Sequence, residues 1–152
     1  MHNTLTKLTF YLLLLYPLYS QVSNGGDPKS LQADLTDDIP QVIMPLVDRD
    51  ALLKEDEIEM AKDIPYRFGT PFEVQFNLDN SGVWEDVSKG RIWRMSIKSK
   101  DAFSINLLYD RFVLPEGAEL FVYDEEMESV LGSFTNKNNK SHETFSTSPT
   151  KG

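Results

Sequence analysis

Residues 90 to 123 contain three consecutive strand-like segments, and they constrain the fold more than any other part of the chain. In residues 93–98 and again in residues 103–109, apolar and polar side chains alternate, which is typical of strands with one buried face. Residues 120–123 are apolar on both faces, which predicts a central strand. The residues expected to face the core are Trp93, Met95, Ile97, Phe103, Ile105, Leu107 and Tyr109.

Further strand signals lie on both sides of this stretch. Alternation over residues 72–78 predicts a half-buried antiparallel strand, and residues 83–87 form a short one between two turn signals. Residues 130–135, with Gly132 expected at a bulge, and residues 144–147 complete the pattern. About seven short strands with frequent turn signals indicate a mainly β chain, an antiparallel β-sandwich of jelly-roll or Greek-key type.

The N-terminus has the pattern of a secretory signal peptide over residues 1–20. Lys7 supplies the positive charge, residues 8–15 are largely apolar, and Pro17 precedes a small residue, Ser20, after which we expect cleavage. The alternative is a membrane anchor, but the apolar stretch is about half of the roughly 20 residues that a spanning helix needs. We therefore expect a secreted, cell-surface or periplasmic protein with no membrane attachment after cleavage.

A linker and a helix are predicted between the signal peptide and the strands. Residues 21–47 are rich in turn and breaker signals, so we expect them to be poorly ordered or extended along the domain. Residues 48–62 predict a short acidic helix capped by Asp48 or Asp50. Its weak amphipathicity indicates a surface helix that docks by few contacts, with solvated carboxylates rather than a metal site.

Composition limits what the remaining β domain, residues 63–152, can be. The chain has no cysteine, so its core must hold without disulfides. Its formal net charge is −9, and removal of Lys7 with the signal peptide makes it −10, which disfavours nucleic acid as a partner. The sequence stops one turn after a predicted strand, so we expect the domain to be incomplete at its C-terminus.

Catalytic and metal-binding patterns are not found. His142 is the one histidine after the signal peptide, and although Ser141 is adjacent, no nucleophile elbow accompanies it. Without cysteine or a second histidine, a zinc site is disfavoured. Residues 79–81 and 124–126 offer oxygen ligands for calcium but lack EF-hand spacing. We therefore predict no catalytic residues, no metal and no cofactor.

The two tryptophans are the remaining candidates for a ligand site. Trp93 lies in phase with the core-facing residues of its strand, which favours burial. Trp84 lies on a short strand beside a turn, where its ring could stack on a sugar. Trp84 therefore keeps open an alternative function as an exported carbohydrate- or protein-binding module.

An ordered set of short motifs covers residues 47–152. The set comprises the acidic helix from Asp50 to Met60 followed by Tyr66-Arg67-Phe68-Gly69, Gly82-x-Trp84, Trp93-Arg94 with Ile97-x-Ser99, Ala102-x-Ser104-x-Asn106, Leu114-Pro115-Glu116-Gly117-Ala118-x-Leu120 with Val122-Tyr123, Gly132-x-Phe134-Thr135, and Thr147-x-Pro149. In order and spacing, this set resembles the N-terminal, non-catalytic region of secreted bacterial trypsin-fold serine proteases of the lysyl endopeptidase type.

The resemblance implies a role without chemistry of its own. In such proteins this region precedes the protease domain, so the catalytic triad and the specificity pocket would follow Gly152. No position of this chain matches a catalytic motif of the family. The chain would then be a pro-region or accessory domain of a serine endopeptidase precursor, assisting the folding or the latency of a downstream protease domain in the same polypeptide.

Overall fold

The computed structural model describes residues 23–65 and 67–151, and these residues form mainly β-strands with one α-helix, as predicted. The predicted signal peptide lies outside the described residues. The strands within them are β1 (Gln41–Ile43), β2 (Val83–Val87), β3 (Gly90–Arg94), β4 (Ser96–Lys98), β5 (Ser104–Ile105), β6 (Leu108–Tyr109), β7 (Leu120–Tyr123), β8 (Val130–Phe134), β9 (Phe145–Ser146) and β10 (Thr150–Lys151).

The strands pair two by two. β2 and β3 form a hairpin, β7 pairs with β8, β5 with β10 and β6 with β9, all antiparallel, whereas β1 runs parallel to β4. Within the described ranges, each strand pairs with one other strand. All four residues of strand β7 are half-buried, in keeping with its apolar sequence. A central strand would pair on both sides, but among the described residues β7 pairs with β8 alone.

An aromatic cluster forms the best-packed part of the core. Phe112 and Phe145 stack with ring centroids 4.2 Å apart, and Tyr109 and Phe134 contact Phe145 edge-on or tilted at 6.1 and 4.9 Å. Phe112 and Phe134 are only 4% and 5% exposed. The rings come from β6, β8, β9 and the loop after β6, so their burial joins segments that are distant in sequence.

Gly132 lies at a bulge in β8, as the sequence predicted. Leu120 of β7 pairs with Phe134, but Val122 pairs with Leu131, so β8 contains one extra residue across this interval. Gly132 has φ of +126°, and a Cβ there would lie 2.6 Å from the carbonyl oxygen of Leu120. Only glycine satisfies both the left-handed backbone and this close approach.

The segment from Ser23 to Met44, which includes the 3₁₀ helix Lys29–Gln32, is hydrogen-bonded to the strands near both of its ends. At its start, the Asn24 and Gly25 amides donate to the carbonyls of Ser133 and Gly132, at 3.1 and 3.0 Å. At its end, β1 pairs with β4, and Met44 N–H donates to the Lys98 carbonyl. Backbone hydrogen bonds therefore attach both ends of this segment to the β region.

Helix α1 spans Arg49–Met60, and Asp48 caps it by accepting a hydrogen bond from the Ala51 amide at 3.0 Å. This cap satisfies one of the free N–H groups of the first turn. None of the helical residues is fully buried. Within the ranges that the structure covers, no helix has both the length and the apolarity needed to cross a membrane.

The prediction of a strand over residues 72–78 is wrong, because this segment is irregular in the structure. Asparagine side chains take the hydrogen bonds that a neighbouring strand would otherwise supply. Asn80 Oδ1 accepts from the Asn77 amide at 3.0 Å, and its Nδ2 donates to the Gln75 carbonyl at 2.8 Å. Such local bonding competes with strand ladders. Of the apolar residues, Phe72 and Phe76 are half-buried while Val74 and Leu78 are exposed.

The prediction that Phe103 faces the core is also wrong. Its side chain is 74% exposed, and the Arg49 guanidinium lies 5.2 Å from its ring centroid. β5 begins one residue later, at Ser104, so Phe103 belongs to the preceding turn and does not follow the alternation of the strand. Ile105, Leu107 and Tyr109 are at least half-buried, as expected.

Candidate functional site

The β2–β3 hairpin carries both tryptophans. Trp84 and Trp93 are directly paired across the hairpin, so their side chains lie on the same face. Trp93 is half-buried and Trp84 is 39% exposed. The Nε1 of Trp84 donates to the Leu78 carbonyl at 3.0 Å, and that of Trp93 to the Ser81 carbonyl at 2.7 Å. Both indoles therefore hold the turn that precedes the hairpin.

Arg91 covers part of the exposed Trp84 ring. Its guanidinium carbon lies 4.0 Å from the Trp84 ring centroid, a cation–π contact between diagonal neighbours on this face. A sugar that stacks on this side of the ring must first displace Arg91. Trp84, the sequence candidate for a ligand contact, thus combines an exposed ring with an occupied N–H group and a partly covered face.

The opposite face of the hairpin holds the N-terminal segment. Glu85 and Arg94 form an ion pair on this face, and their side chains are only 18% and 13% exposed. Glu85 Oε1 accepts from the Thr36 amide at 2.7 Å, and Arg94 donates to the Thr36 carbonyl at 2.6 Å. The hydrogen bond from Thr36, with help from Arg94, lowers the pKa of Glu85. We call this arrangement the Thr36 clamp.

Arg67, in the loop after helix α1, forms ion pairs with three acidic residues of that helix. Arg67 lies 3.0 Å from Glu55, 3.1 Å from Asp56 and 3.7 Å from Glu59, measured between side-chain nitrogen and oxygen atoms. The hydrogen bond to Glu55 and the nearby carboxylates raise the pKa of Arg67. Of these carboxylates, which were expected to be solvated, Glu55 and Glu59 are 60% and 38% exposed, whereas Asp56 is only 15% exposed.

The apolar residues of α1 mostly face solvent. Leu53, Ile58 and Met60 are 43%, 56% and 61% exposed, whereas Leu52 is half-buried. Ile64, just after the helix, is 45% exposed and lines a shallow depression together with Met60 and Arg67. Several apolar side chains of the helix are therefore exposed, while three of its acidic side chains contact Arg67.

His142 lies in an exposed loop and interacts with a neighbouring threonine. Its Nδ1 accepts a hydrogen bond from the Thr144 amide at 3.2 Å and lies 2.7 Å from the Thr144 hydroxyl. Because the amide must donate, the neutral ring carries its proton on Nε2. The structure places no hydrogen bond between His142 and Ser141 among the contacts of the described residues.

The two sequence clusters considered for calcium are engaged in their own turns. Asn77 Oδ1 accepts from the amides of Asp79 and Asn80, at 2.9 and 3.0 Å. The Asp124 carboxylate accepts from the amides of Glu128 and Ser129, at 2.8 and 3.0 Å, and thereby closes the β7–β8 connection. No group of three or more histidine or acidic side chains in the described part of the chain is arranged to hold a metal ion.

Arg67 with Glu55, Asp56 and Glu59 forms a group that we call the Arg67 cluster. The sequence analysis predicted neither this cluster nor the Thr36 clamp. Arg67 was named only as part of the Tyr66-Arg67-Phe68-Gly69 motif, with no contact assigned to it, and Thr36 contributes its backbone from a polar segment. One sequence signal could have indicated the Arg67 cluster: Glu55 and Glu59 lie four residues apart, which places them on the same side of a helix.

Comparisons with known proteins give no family assignment. The chain matches no protein-family model, and no solved structure matches it.

Proposed function

We propose that this chain is a non-catalytic binding region, the N-terminal pro-region or accessory domain of a secreted serine endopeptidase precursor. The observation that carries the binding role is the exposure of the apolar side chains of Leu53, Ile58 and Met60 on α1, since exposed apolar surface commonly marks interaction sites. The assignment to an endopeptidase precursor rests on the ordered motifs of residues 47–152. The role would be to assist folding, or to keep the protease silent until cleavage.

This function has consequences for fold and location. The five strand pairs would belong to an antiparallel β-sandwich of jelly-roll or Greek-key type, completed by chain or partner residues on their free edges. The sequence over residues 1–20 would direct secretion and be removed after Ser20. The downstream protease domain would be an intramolecular partner.

The coding sequence after codon 152 provides the test. We expect it to continue into a trypsin-like domain in which a histidine, an aspartate and a Gly-Asp-Ser-Gly-Gly-like serine follow in that order. A stop codon, or a module of another kind, at that position contradicts the endopeptidase assignment.

The second candidate function is an exported carbohydrate- or protein-binding module, and the 39% exposure of Trp84 favours it. In this case, titration with polysaccharides quenches tryptophan fluorescence in the wild-type chain but not in Trp84→Phe. The hydrogen bond from Trp84 Nε1 to Leu78 and the Arg91 contact weigh against it, because both already engage the ring. Quenching that persists in the variant contradicts a role for Trp84.

A further inference from the structure

Asn24 and Gly25 form the one Asn-Gly pair of the sequence, and they lie where the N-terminal segment contacts β8. Asparagine is among the thermolabile residues of proteins, because the next backbone nitrogen can attack its side chain and expel ammonia. A following glycine favours this deamidation, since it has no Cβ to hinder the attack. Both residues are exposed, so water reaches the side-chain amide. The pair is therefore chemically suited to spontaneous modification.

Hydrogen bonds join this pair to β8. The Asn24 amide donates to the Ser133 carbonyl at 3.1 Å, and the Ser133 amide donates to the Gly25 carbonyl at 3.2 Å. The Gly25 amide donates to the Gly132 carbonyl at 3.0 Å, and the Ser23 hydroxyl donates to the same oxygen. We call these four bonds the β8 attachment. Ser133 is only 6% exposed, so its N–H and C=O depend on this attachment for their partners.

The β8 attachment opposes the modification while it is closed. Deamidation begins when the Gly25 nitrogen attacks Asn24 Cγ, and this nitrogen must first lose its proton and turn toward the side chain. In the structure, the Gly25 N–H is bonded to the Gly132 carbonyl. The Asn24 side chain is held as well, since its Nδ2 donates to the Ser133 carbonyl at 3.4 Å. The reaction therefore requires a local opening that lifts residues 23–25 off β8.

We propose that Asn24 is a self-modifying site: opening of the β8 attachment allows deamidation, and deamidation prevents the attachment from closing again. The Gly25 nitrogen gives its proton to solvent and bonds to Asn24 Cγ. Nδ2 takes up a proton and leaves as ammonia, so that a cyclic succinimide forms. Water then adds to one of the ring carbonyls. Breaking the bond from the nitrogen to Cγ gives aspartate, whereas breaking its bond to the Asn24 carbonyl carbon gives isoaspartate.

Both products oppose closure of the attachment. Each replaces the donor Nδ2 with a carboxylate, which only accepts hydrogen bonds and is repelled by the Ser133 carbonyl oxygen that Nδ2 contacts. In isoaspartate the backbone also runs through Cβ and Cγ, so the amides of residues 24 and 25 are separated by an additional methylene group. They then no longer match the spacing of the Ser133 and Gly132 carbonyls. This end of the N-terminal segment is released permanently, while the Thr36 clamp still holds its middle.

The test follows deamidation of the full chain in mildly alkaline buffer, with and without urea, by mass spectrometry of the tryptic peptide that ends at Lys29. Urea frees Asn24, so we expect the reaction to be at least about tenfold slower in the folded chain. Ser23→Ala removes the hydroxyl bond to Gly132 and leaves the Asn-Gly pair intact. It should speed the reaction about threefold in buffer but not in urea. Asn24→Gln, whose longer side chain cyclises far more slowly, is the control for modification at another residue.

Release of the segment is measured separately, by NMR hydrogen exchange of the Ser133 amide after ion exchange has isolated the more acidic, deamidated chain. Because this amide donates to Gly25, it should exchange at least about tenfold faster in the modified chain. Equal deamidation rates with and without urea would show that the β8 attachment does not control the reaction. Absence of deamidation at Asn24 in urea, or unchanged exchange of Ser133 in the modified chain, would also overturn the inference.

Discussion

The aromatic cluster and helix α1 are held in place by different forces. Around Phe112 and Phe134, rings from several segments exclude water and contact one another at 4.2 to 6.1 Å. Around α1, one arginine gathers three carboxylates, and the apolar side chains remain exposed. Apolar burial dominates stability, whereas exposed ion pairs add little. The cluster therefore contributes more to the stability of the fold than the ion pairs of Arg67 do.

The largest loss of stability from a single substitution is expected in the aromatic cluster. Phe112→Ala removes a ring that is 4% exposed and stacked on Phe145, and should lower the free energy of unfolding by about 3–5 kcal/mol. Phe112→Leu, which keeps much of the volume, should cost about 1–2 kcal/mol and remain measurable if the alanine variant does not fold. Urea denaturation gives both values.

Phe103 provides the matched control for that experiment. Its ring is 74% exposed, so Phe103→Ala should change the free energy of unfolding by less than about 0.5 kcal/mol. Similar losses at positions 103 and 112 would contradict the division between a buried cluster and an exposed surface.

A substitution at the β8 bulge should lower the free energy of unfolding nearly as much as one in the aromatic cluster. Gly132→Ala places a Cβ 2.6 Å from the Leu120 carbonyl oxygen at a φ of +126°, so we expect a loss of about 2–3 kcal/mol. Gly69 has open space around it and no positive φ, so Gly69→Ala should be neutral or slightly stabilising. Thermal denaturation of the two variants measures the difference, and equal melting temperatures would show that the bulge tolerates a side chain.

Tyr109 makes the stability of the cluster depend on pH. Burial raises the pKa of Tyr109 from 10.0 to about 12. Because the folded-state pKa is the higher one, the stabilisation is complete below pH 10 and is lost as the pH rises from 10 to 12, by about 2 kcal/mol. Tyr109→Phe should remove most of this loss. Urea denaturation at pH 9 and pH 11.5 tests it, and an unchanged pH dependence in the variant would assign the loss to other groups.

The smallest effect is expected at the Thr36 clamp, which attaches the N-terminal segment without a large apolar contact. Glu85→Gln keeps an acceptor for the Thr36 amide but removes the charge that pairs with Arg94. We expect trypsin to cleave after Lys29 several-fold faster in the variant. Because the pKa of Glu85 is lowered in the folded chain, the wild-type clamp should weaken in the same way only as the pH falls into the acidic range.

Cleavage after Lys137 serves as the internal reference for that measurement, since this lysine is exposed, in the 3₁₀ helix Asn136–Asn138, and lies far from the clamp in sequence. A variant that speeds cleavage at both lysines equally would indicate general destabilisation instead of release of the segment.

Local patterns in the sequence predicted local structure well. The short strand over residues 83–87, the glycine at the bulge and the acidic helix all depend on neighbours along the chain, and the structure has each of them. The two incorrect predictions, the strand over residues 72–78 and the burial of Phe103, have other causes. Residues 72–78 alternate like a strand, but the side chain of Asn80 satisfies the backbone at Gln75 and Asn77. Phe103 precedes its strand by one residue.

Long-range contacts could not be predicted from the alternation of apolar and polar residues. Phe112 lies in no alternating segment, yet it is one of the most buried side chains of the described chain, because β9 returns to place Phe145 on its ring. The Thr36 clamp joins residues about 50 positions apart, and the Arg67 cluster depends on how the chain turns after α1. Side-chain periodicity describes one element at a time and carries no information on contacts between elements that are distant in sequence.

Native-state hydrogen exchange, read residue by residue at low and high salt, tests the contrast between the two regions most directly. The account predicts that amides of β8 and β9 exchange only through global unfolding and are insensitive to salt. Amides of α1 should exchange faster, through local opening, and faster still at high salt because screening weakens the Arg67 pairs. If α1 is as well protected as β8 at both salt concentrations, the helix belongs to the stable core, and the claim that ion pairs rather than apolar burial hold it is wrong.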